Sequence, residues 1–390
     1  MKEMSVPTCH VCGHTNLELL YEMQSGLALT SLGTAYPGDT RVWACVHCSH
    51  LQTDEIEHVA QYYADDYNIL SSSAEEDQIY EIREGTPVYR TEHQLTVLQA
   101  LLELQPNARV LDYGCAKSST MKALLLARPD LQVHLFDVSE NYKKFWSSFL
   151  PEDRWATFTP KAEWAQSFDV VTSFFALEHI VDPLGSLRKI HSLLRPGGHF
   201  YCVVPNVATN VADFIVVDHV NHFTEGSWTH LLQRAGFVPE RIDATSHRGA
   251  FVVTARRLEV SPPLSLTDGA AIAKTMAEFK QMADFWRGAA ARVTNFADVL
   301  HSQACCAIYG AGFYGAFIAA SLGGVERIRC FVDQNPHLQG TTIFGRPVVA
   351  PSALDPSVDT LLVGLNPAHA RRTIGEIQAL RSRPLTYFYL

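Results

Sequence analysis

The sequence predicts an α/β protein built in three units: a small N-terminal metal-binding module, a Rossmann-like core and a second Rossmann-like domain at the C-terminus. Three observations carry this. Two C-x-x-C pairs lie within the first 50 residues. Strand–glycine turn–helix patterns begin at Val110 and again at Cys306. Between them, apolar strand-like runs alternate with helical patterns up to about Arg257, which predicts a parallel sheet.

Composition bounds the class. A chain of 390 residues exceeds one hydrophobic core, and 47% hydrophobic with 18% charged residues excludes a disordered bulk. A formal net charge of −10 argues against nucleic acid as partner. No apolar run reaches the length of a membrane span, and M-K-E-M-S-V-P-T-C carries no secretion signal. A cytoplasmic protein is expected, monomeric or homodimeric, acting on a small molecule.

The first unit is expected over residues 1–56. Cys9 and Cys12 are separated by 32 residues from Cys45 and Cys48. Four thiolates can enclose Zn²⁺ tetrahedrally and leave no position for water, so the site reads as structural. Gly13 and Ser49, after the second cysteine of each pair, ease the tight turns. The competing reading is a redox pair or incidental thiols. His10, His14, His47 and His50 could substitute as ligands, but four cysteines suffice, and the histidines read as surface residues.

Residues 57–93, rich in tyrosine, serine and acids, read as a connecting segment that is helical in part. An apolar helical stripe over 91–104 then leads into the core, expected over 94–258. Its first strand and turn read V-L-D-Y-G-C-A-K-S-S, ending an apolar run in Asp112 and turning on Gly114. A second run, L-Q-V-H-L-F-D, ends in Asp137, 25 residues later, where an acid can accept from both ribose hydroxyls or cap a helix. Then come F-D-V-V-T-S-F-F-A-L-E-H-I and L-L-R-P-G-G-H-F-Y-C-V-V-P, with a closing strand over Phe251 to Thr254. This ordered series resembles the class I S-adenosylmethionine-dependent methyltransferases. On that resemblance Asp112, Gly114, Asp137, Val138, Ala176, Glu178 and His179 border the cofactor.

Past a linker over 259–267 and a helix over 268–302, C-A-I-Y-G-A-G-F-Y-G opens the C-terminal domain, 259–390 with the linker. Gly310, Gly312 and Gly315 fit G-x-G-x-x-G, and Asp333 ends the next strand 23 residues after Gly310. Alone this is a dinucleotide fingerprint, or glycines required only by a tight turn.

The order of zinc module, methyltransferase core and Rossmann-like domain resembles the bacterial sugar C-methyltransferases, which act on nucleotide-linked 4-keto-deoxyhexoses. The family pattern, close to E-H-x-x-Y-F, is matched at its acid–histidine pair by Asp218-His219, with aspartate replacing glutamate, in D-H-V-N-H-F over 218–223. The resemblance implies His219 as general base, Asp218 as its acidic neighbour, and His222 in the place of the family's tyrosine. Imidazole is a suitable base near neutral pH for a carbon-bound proton beside a ketone. The family's Tyr-x-Tyr is met by Tyr67 and departed from at Ile69, and a tyrosine before the base is Val216 here. The resemblance further implies that the C-terminal domain holds the substrate's nucleotide, with Asn206, Gly310, Gly312 and Tyr314 on the substrate side. The alternatives are O- or N-methylation of another small metabolite, or a non-catalytic binding protein that keeps the fold. Binding of S-adenosylmethionine separates the last from the others.

Overall fold

The computed structural model describes residues 7–24, 27–63, 67, 69, 73–259, 268–300, 304–322 and 325–390. The expected linker lies outside these except for Glu259, as do Asp66 and Asn68 beside Tyr67. The chain divides into two compact units, each assembled from separate stretches. One comprises Met1–Leu19, Trp43–Asn210 and His219–Met276; the other comprises Leu20–Val42, Val211–Asp218 and Ala277–Leu390.

The first unit is built on seven strands: β1 (Arg109–Tyr113), β2 (Gln132–Asp137), β3 (Trp155–Thr157), β4 (Phe168–Phe174), β5 (Leu194–Pro205), β6 (Phe237–Asp243) and β7 (Ala250–Arg257). Their order is β3-β2-β1-β4-β5-β7-β6. This is the Rossmann-like methyltransferase fold, and the reversal of order between β1 and β4 creates a crevice at the strands' carboxyl ends. Neighbours from β3 to β5 pair in parallel, whereas β7 runs antiparallel to both β5 and β6. The expectation of a parallel sheet therefore fails at β7. The six residues joining β6 to β7 allow only a hairpin return, whereas a parallel crossover needs a dozen or more.

Helices α1 (Arg90–Leu101), α2 (Ser119–Ala127), α3 (Pro183–Leu193) and α4 (Glu225–Arg234) flank the sheet. The α3 start is set by Pro183, whose missing N–H costs nothing there, and by Asp182, which accepts from Gly185 N at 2.8 Å. Thr224 and Ser227 form a reciprocal cap on α4. One face of the sheet buries Leu187, Ile190, Trp228 and Leu231 in a common cluster; the other buries Leu98, Met121 and Leu124 with β1 and β2.

Strands Leu17–Met23, Thr40–Cys45 and Leu51–Thr53 form a three-stranded sheet. The connecting segment holds one short helix, Val59–Gln61, and an unforeseen hairpin, Ile79–Arg83 with Thr86–Tyr89. Glu84 and Gly85 at its tip both have positive φ, which matches the strands' right-handed twist.

The second unit carries β8 (Cys306–Tyr309), β9 (Ile328–Val332), β10 (Thr342–Ile343), β11 (Arg346–Val349), β12 (Thr360–Val363) and β13 (Thr386–Tyr389), in the order β10-β11-β9-β8-β12-β13. All pair in parallel except β10 with β11. The long helix α5 (Gly269–Val299) leads into this unit, and α6 (Phe313–Ser321) follows the glycine turn. An N-terminal hairpin, Leu27–Leu29 with Ala35–Pro37, and the segment Val211–Asp218 also belong here. Among the described residues, no helix is long and apolar enough to cross a membrane.

Candidate active site and cysteine centre

The four cysteines converge. Their sulfurs all lie within 4.8 Å of one another, and none forms a disulfide. Each pair sits on a turn in which the second residue after the loop reverses onto the first: Gly13 N donates to Cys9 O and Ser49 N to Cys45 O, both at 2.9 Å. Gly13 and Ser49 have φ of 80° and 54°; both tight turns pass through the left-handed region, which glycine adopts freely. Hydrogen bonding among the thiols pulls Cys12 far below the ordinary thiol range and pushes Cys48 far above it. Such a crowd of mostly buried sulfurs suits a single tetrahedral cation, and this donor set fits zinc.

Two of the flanking histidines are not surface residues. His50 is fully buried and donates from Nε2 towards Asn221 Oδ1 at 3.1 Å, and His10 Nδ1 lies 3.0 Å from the same oxygen. The expectation of solvent-facing imidazoles is corrected by that buried amide. His14 and His47 pack ring on ring, 3.8 Å between centroids.

The loop from His219 to His222 runs along the strand Leu51–Thr53. Thr53 Oγ1 donates to His219 O at 2.9 Å, and Leu51 and His222 exchange backbone hydrogen bonds at 2.9 and 3.3 Å. His222 and His219 are both buried, and the rings of His219 and His179 meet nearly perpendicular, with centroids 4.6 Å apart. Glu178 and His179 occupy a 3₁₀ turn after β4, and the Glu178 side chain is buried. Tyr63 OH lies 2.9 Å from His179 Nδ1, and Tyr67 OH lies 3.4 Å from Nε2. Ligand-type atoms of Glu178, His179 and His219 fall within 4.8 Å of one another. The tyrosines on both ring nitrogens of His179 make this a hydrogen-bonded cluster suited to handling a proton. Tyr63 went unnoticed in the sequence; its one signal is its spacing four residues before Tyr67.

At the carboxyl ends of β1 and β2, Asp112 and Asp137 are both buried. Asp112 accepts from Ser118 Oγ at 2.7 Å and Thr172 Oγ1 at 3.0 Å, and burial pushes its carboxyl up to about 6. Asp137 accepts from Ala116 N at 2.7 Å and Ser139 N at 2.9 Å; burial raises it as well. Gly114 has φ of 73°, and a Cβ there would come within 2.6 Å of Ala176 Cβ, so both conformation and space require glycine. Ala116 and Ser118, with φ of 43° and 57°, keep left-handed conformations without being glycine. Beside Asp137 two apolar side chains face solvent, Val138 at 52% and Phe158 at 59% exposure. Phe158 N donates to Asp137 O at 2.9 Å. Exposed apolar groups flanking an acid fit an adenosine, base against the side chains and ribose towards the carboxylate. Phe158 is a residue the sequence reading missed. Asn206 is buried at the end of β5 and accepts from Ala208 N through its own side chain, closing a local turn.

In the second unit, Asp218 accepts from Ser31 N at 2.6 Å and Ser31 Oγ at 2.7 Å, one bond on each carboxylate oxygen. Val217 N donates to Leu29 O, and Trp286 Nε1 to Val211 O, so the whole 211–218 segment is held there. A Cβ on Gly310 would come within 2.2 Å of Gly364 O, and one on Gly315 within 1.9 Å of Gly310 O. Gly312 has open space, although Gly33 of the hairpin turn packs beside the start of α6. Tyr314 stacks on Trp286 at 6.1 Å, and burial raises its phenol. Asp333 accepts from Ala311 N and Asn335 N, both at 2.8 Å. Asp333 thus caps its glycine turn as Asp137 does its own, so an acid at this register is partly a structural device in both units.

Residues 89–241 match a family model described as a methyltransferase domain. A ubiquinone biosynthesis O-methyltransferase from Xanthomonas campestris pv. campestris (strain B100) is 37% identical over 103 residues, 25% of this chain and 42% of that protein. One of the same description from Vibrio vulnificus (strain YJ016) is 31% identical over 98 residues, 24% of this chain and 42% of that protein. The chain therefore spans about two fifths of the length of these curated relatives. A crystal structure of an S-adenosylmethionine-dependent methyltransferase from Mesorhizobium loti aligns with a TM-score of 0.36 and 19% identity, over 42% of this chain and 98% of that one.

Proposed function

We propose that this chain is an S-adenosylmethionine-dependent methyltransferase with a structural zinc in its Cys9–Cys12–Cys45–Cys48 centre. Its acceptor is a nucleotide-linked 4-keto-deoxysugar, methylated on the carbon beside the ketone. The observation that carries this is the cluster of His219, His179, Tyr63 and Tyr67 in a fold that carries Asp112 and Asp137 at the carboxyl ends of β1 and β2.

When bound, the cofactor supplies an electrophilic sulfonium methyl group. The protein's own residues do the rest. Asp137, Val138, Phe158 and the Gly114 turn hold the adenosine, with Ala176 and Glu178 at its border. His219 takes the proton from the sugar carbon; its ring stands in the cluster with His179 and Glu178, which that of His222 does not join. His179 backs the His219 ring, and a hydroxyl of Tyr63 or Tyr67 stabilises the enolate oxygen. Asp218, fixed by Ser31 on both oxygens, anchors the chain immediately before the base. Asn206 shapes the acceptor loop, and in the second unit, taken by itself, Gly310, Gly312 and Tyr314 are the candidate nucleotide contacts.

Incubation with S-adenosylmethionine and dTDP-4-keto-6-deoxyglucose, followed by mass spectrometry and NMR, tests this. The expected product carries the new methyl on carbon. A second reading, O-methylation of a hydroxyl by the same base, is favoured by the O-methyltransferase descriptions of the partial relatives; a methyl found on oxygen would select it.

A further inference from the structure

Asn221 sits between the base His219 and the buried His222, and its own side chain is buried. Its Oδ1 faces His10 Nδ1 at 3.0 Å and His50 Nε2 at 3.1 Å. Its Nδ2 donates to Leu177 O at 3.3 Å and Ile180 O at 2.6 Å, and its backbone N donates to Glu178 O at 3.0 Å. A carboxamide has two donors and two acceptor lone pairs, and here all four are used. Because Nδ2 must donate to two carbonyls, Oδ1 is the acceptor. His10 is therefore protonated on Nδ1 and His50 on Nε2, so the amide orientation and both tautomers are fixed by one network.

The geography of these partners is what matters. His10 lies between Cys9 and Cys12, and His50 lies two residues after Cys48. Leu177 and Ile180 bracket the turn that carries Glu178 and His179. We infer that Asn221 is a positioning residue through which the metal-bound cysteine module holds the Glu178–His179 turn and the His219 loop in register. Thr53 on His219 O and Leu51 on His222 extend the same hold along the loop. The cysteine centre thereby acts on the chemistry as well as on the folding of its own module. The catalytic part of this inference rests on the reading of His219 and His179 given above; the mechanical part does not.

Two variants separate the halves of the clamp. Asn221→Leu keeps the volume and removes both halves, leaving four polar groups, buried or partly buried, without this partner. Asn221→Asp keeps the acceptor for the histidines and sets a carboxylate oxygen against the two carbonyls. Each is prepared as the full zinc-loaded chain, and hydrogen exchange over residues 176–182 is followed by mass spectrometry. In both variants, exchange over 176–182 is expected to quicken by about tenfold or more, with one zinc per chain retained. Wild-type protein stripped of zinc should show the same local quickening. With dTDP-4-keto-6-deoxyglucose as probe, kcat should fall while KM for the sugar is kept. Unchanged exchange in both variants overturns the inference, and so does loss of zinc from either, which would make Asn221 part of the module's own fold. If wild type does not turn over this sugar, the exchange and metal results still decide the clamp, and only the proposed substrate fails.

Discussion

The imidazole of His219 stands edge-on to that of His179, with ring planes at 81° and centroids 4.6 Å apart. His179 meets a tyrosine hydroxyl at each ring nitrogen, Tyr63 at 2.9 Å and Tyr67 at 3.4 Å. A neutral imidazole has one donor and one acceptor, so one tyrosine gives a proton to His179 and the other receives one. The ring is thus held from both ends beside the base.

This arrangement ranks the two tyrosines. Tyr63→Phe should lower kcat more than Tyr67→Phe, by a factor matching about 1 kcal/mol for a lost hydrogen bond, with KM for S-adenosylmethionine kept. Steady-state kinetics of both variants checks it; equal or reversed effects would show that the shorter contact does not support turnover.

The cysteine centre should hold one zinc per chain, and structural zinc contributes on the order of 10 kcal/mol to the fold that encloses it. Cys45→Ser is expected to lose metal and to melt earlier, not merely to slow catalysis. Elemental analysis of protein purified without chelator reads the stoichiometry, and a value well below one contradicts the assignment.

Asp137 and Phe158 make separable predictions for the cofactor. Asp137→Ala should weaken S-adenosylmethionine binding by about 1.5–3 kcal/mol, the worth of charge-assisted hydrogen bonds. Phe158→Ala removes an apolar side chain already in solvent, so affinity should drop by about 1 kcal/mol with the melting temperature unchanged. Calorimetry distinguishes them. An Asp137→Ala protein with full affinity would leave the acid only its role as a cap for Ala116 and Ser139.

Burial pushes Asp112 up to about 6, whereas in the unfolded chain it titrates near 4. The folded protein then holds a proton that the unfolded chain has released between those values. Its contribution to stability is fully present below about pH 4 and is lost as pH rises through about 6. Asp112→Asn should therefore gain on wild type between pH 4 and 7, by up to about 3 kcal/mol. Thermal unfolding of the cofactor-free proteins at both ends of that range measures the difference. A variant whose deficit is the same at both would mean the carboxylate stays charged throughout.

Much of the fold could be read from sequence because its signals are local. The C-x-x-C turns, the glycine at 114, the acids ending β1 and β2 and the long α5 all announce themselves within a few residues. The antiparallel β7 did not, since only the shortness of the preceding turn betrays it. The roles of His10 and His50 were invisible for a different reason. Their partner Asn221 lies 211 and 171 residues away, and a hydrogen bond across such a distance leaves no periodicity in either segment. Tyr63 escaped because two adjacent tyrosines in a polar segment give no sign of which one faces the site. Likewise, the early segment around Ser31 shows nothing that groups it with 211–218, yet both belong to the C-terminal unit.

Removal of a carbon-bound proton by His219 can be followed without methyl transfer. In D₂O without S-adenosylmethionine, the wild-type protein should exchange the hydrogen beside the ketone of dTDP-4-keto-6-deoxyglucose, followed by NMR. His219→Ala should slow that exchange by about 10²–10⁴-fold, the range of a positioned general base, while His222→Ala stays close to wild type. Full-rate exchange in His219→Ala would contradict the assignment of the base. An absence of exchange in the wild type, together with methylation of a hydroxyl compound, would contradict C-methylation itself.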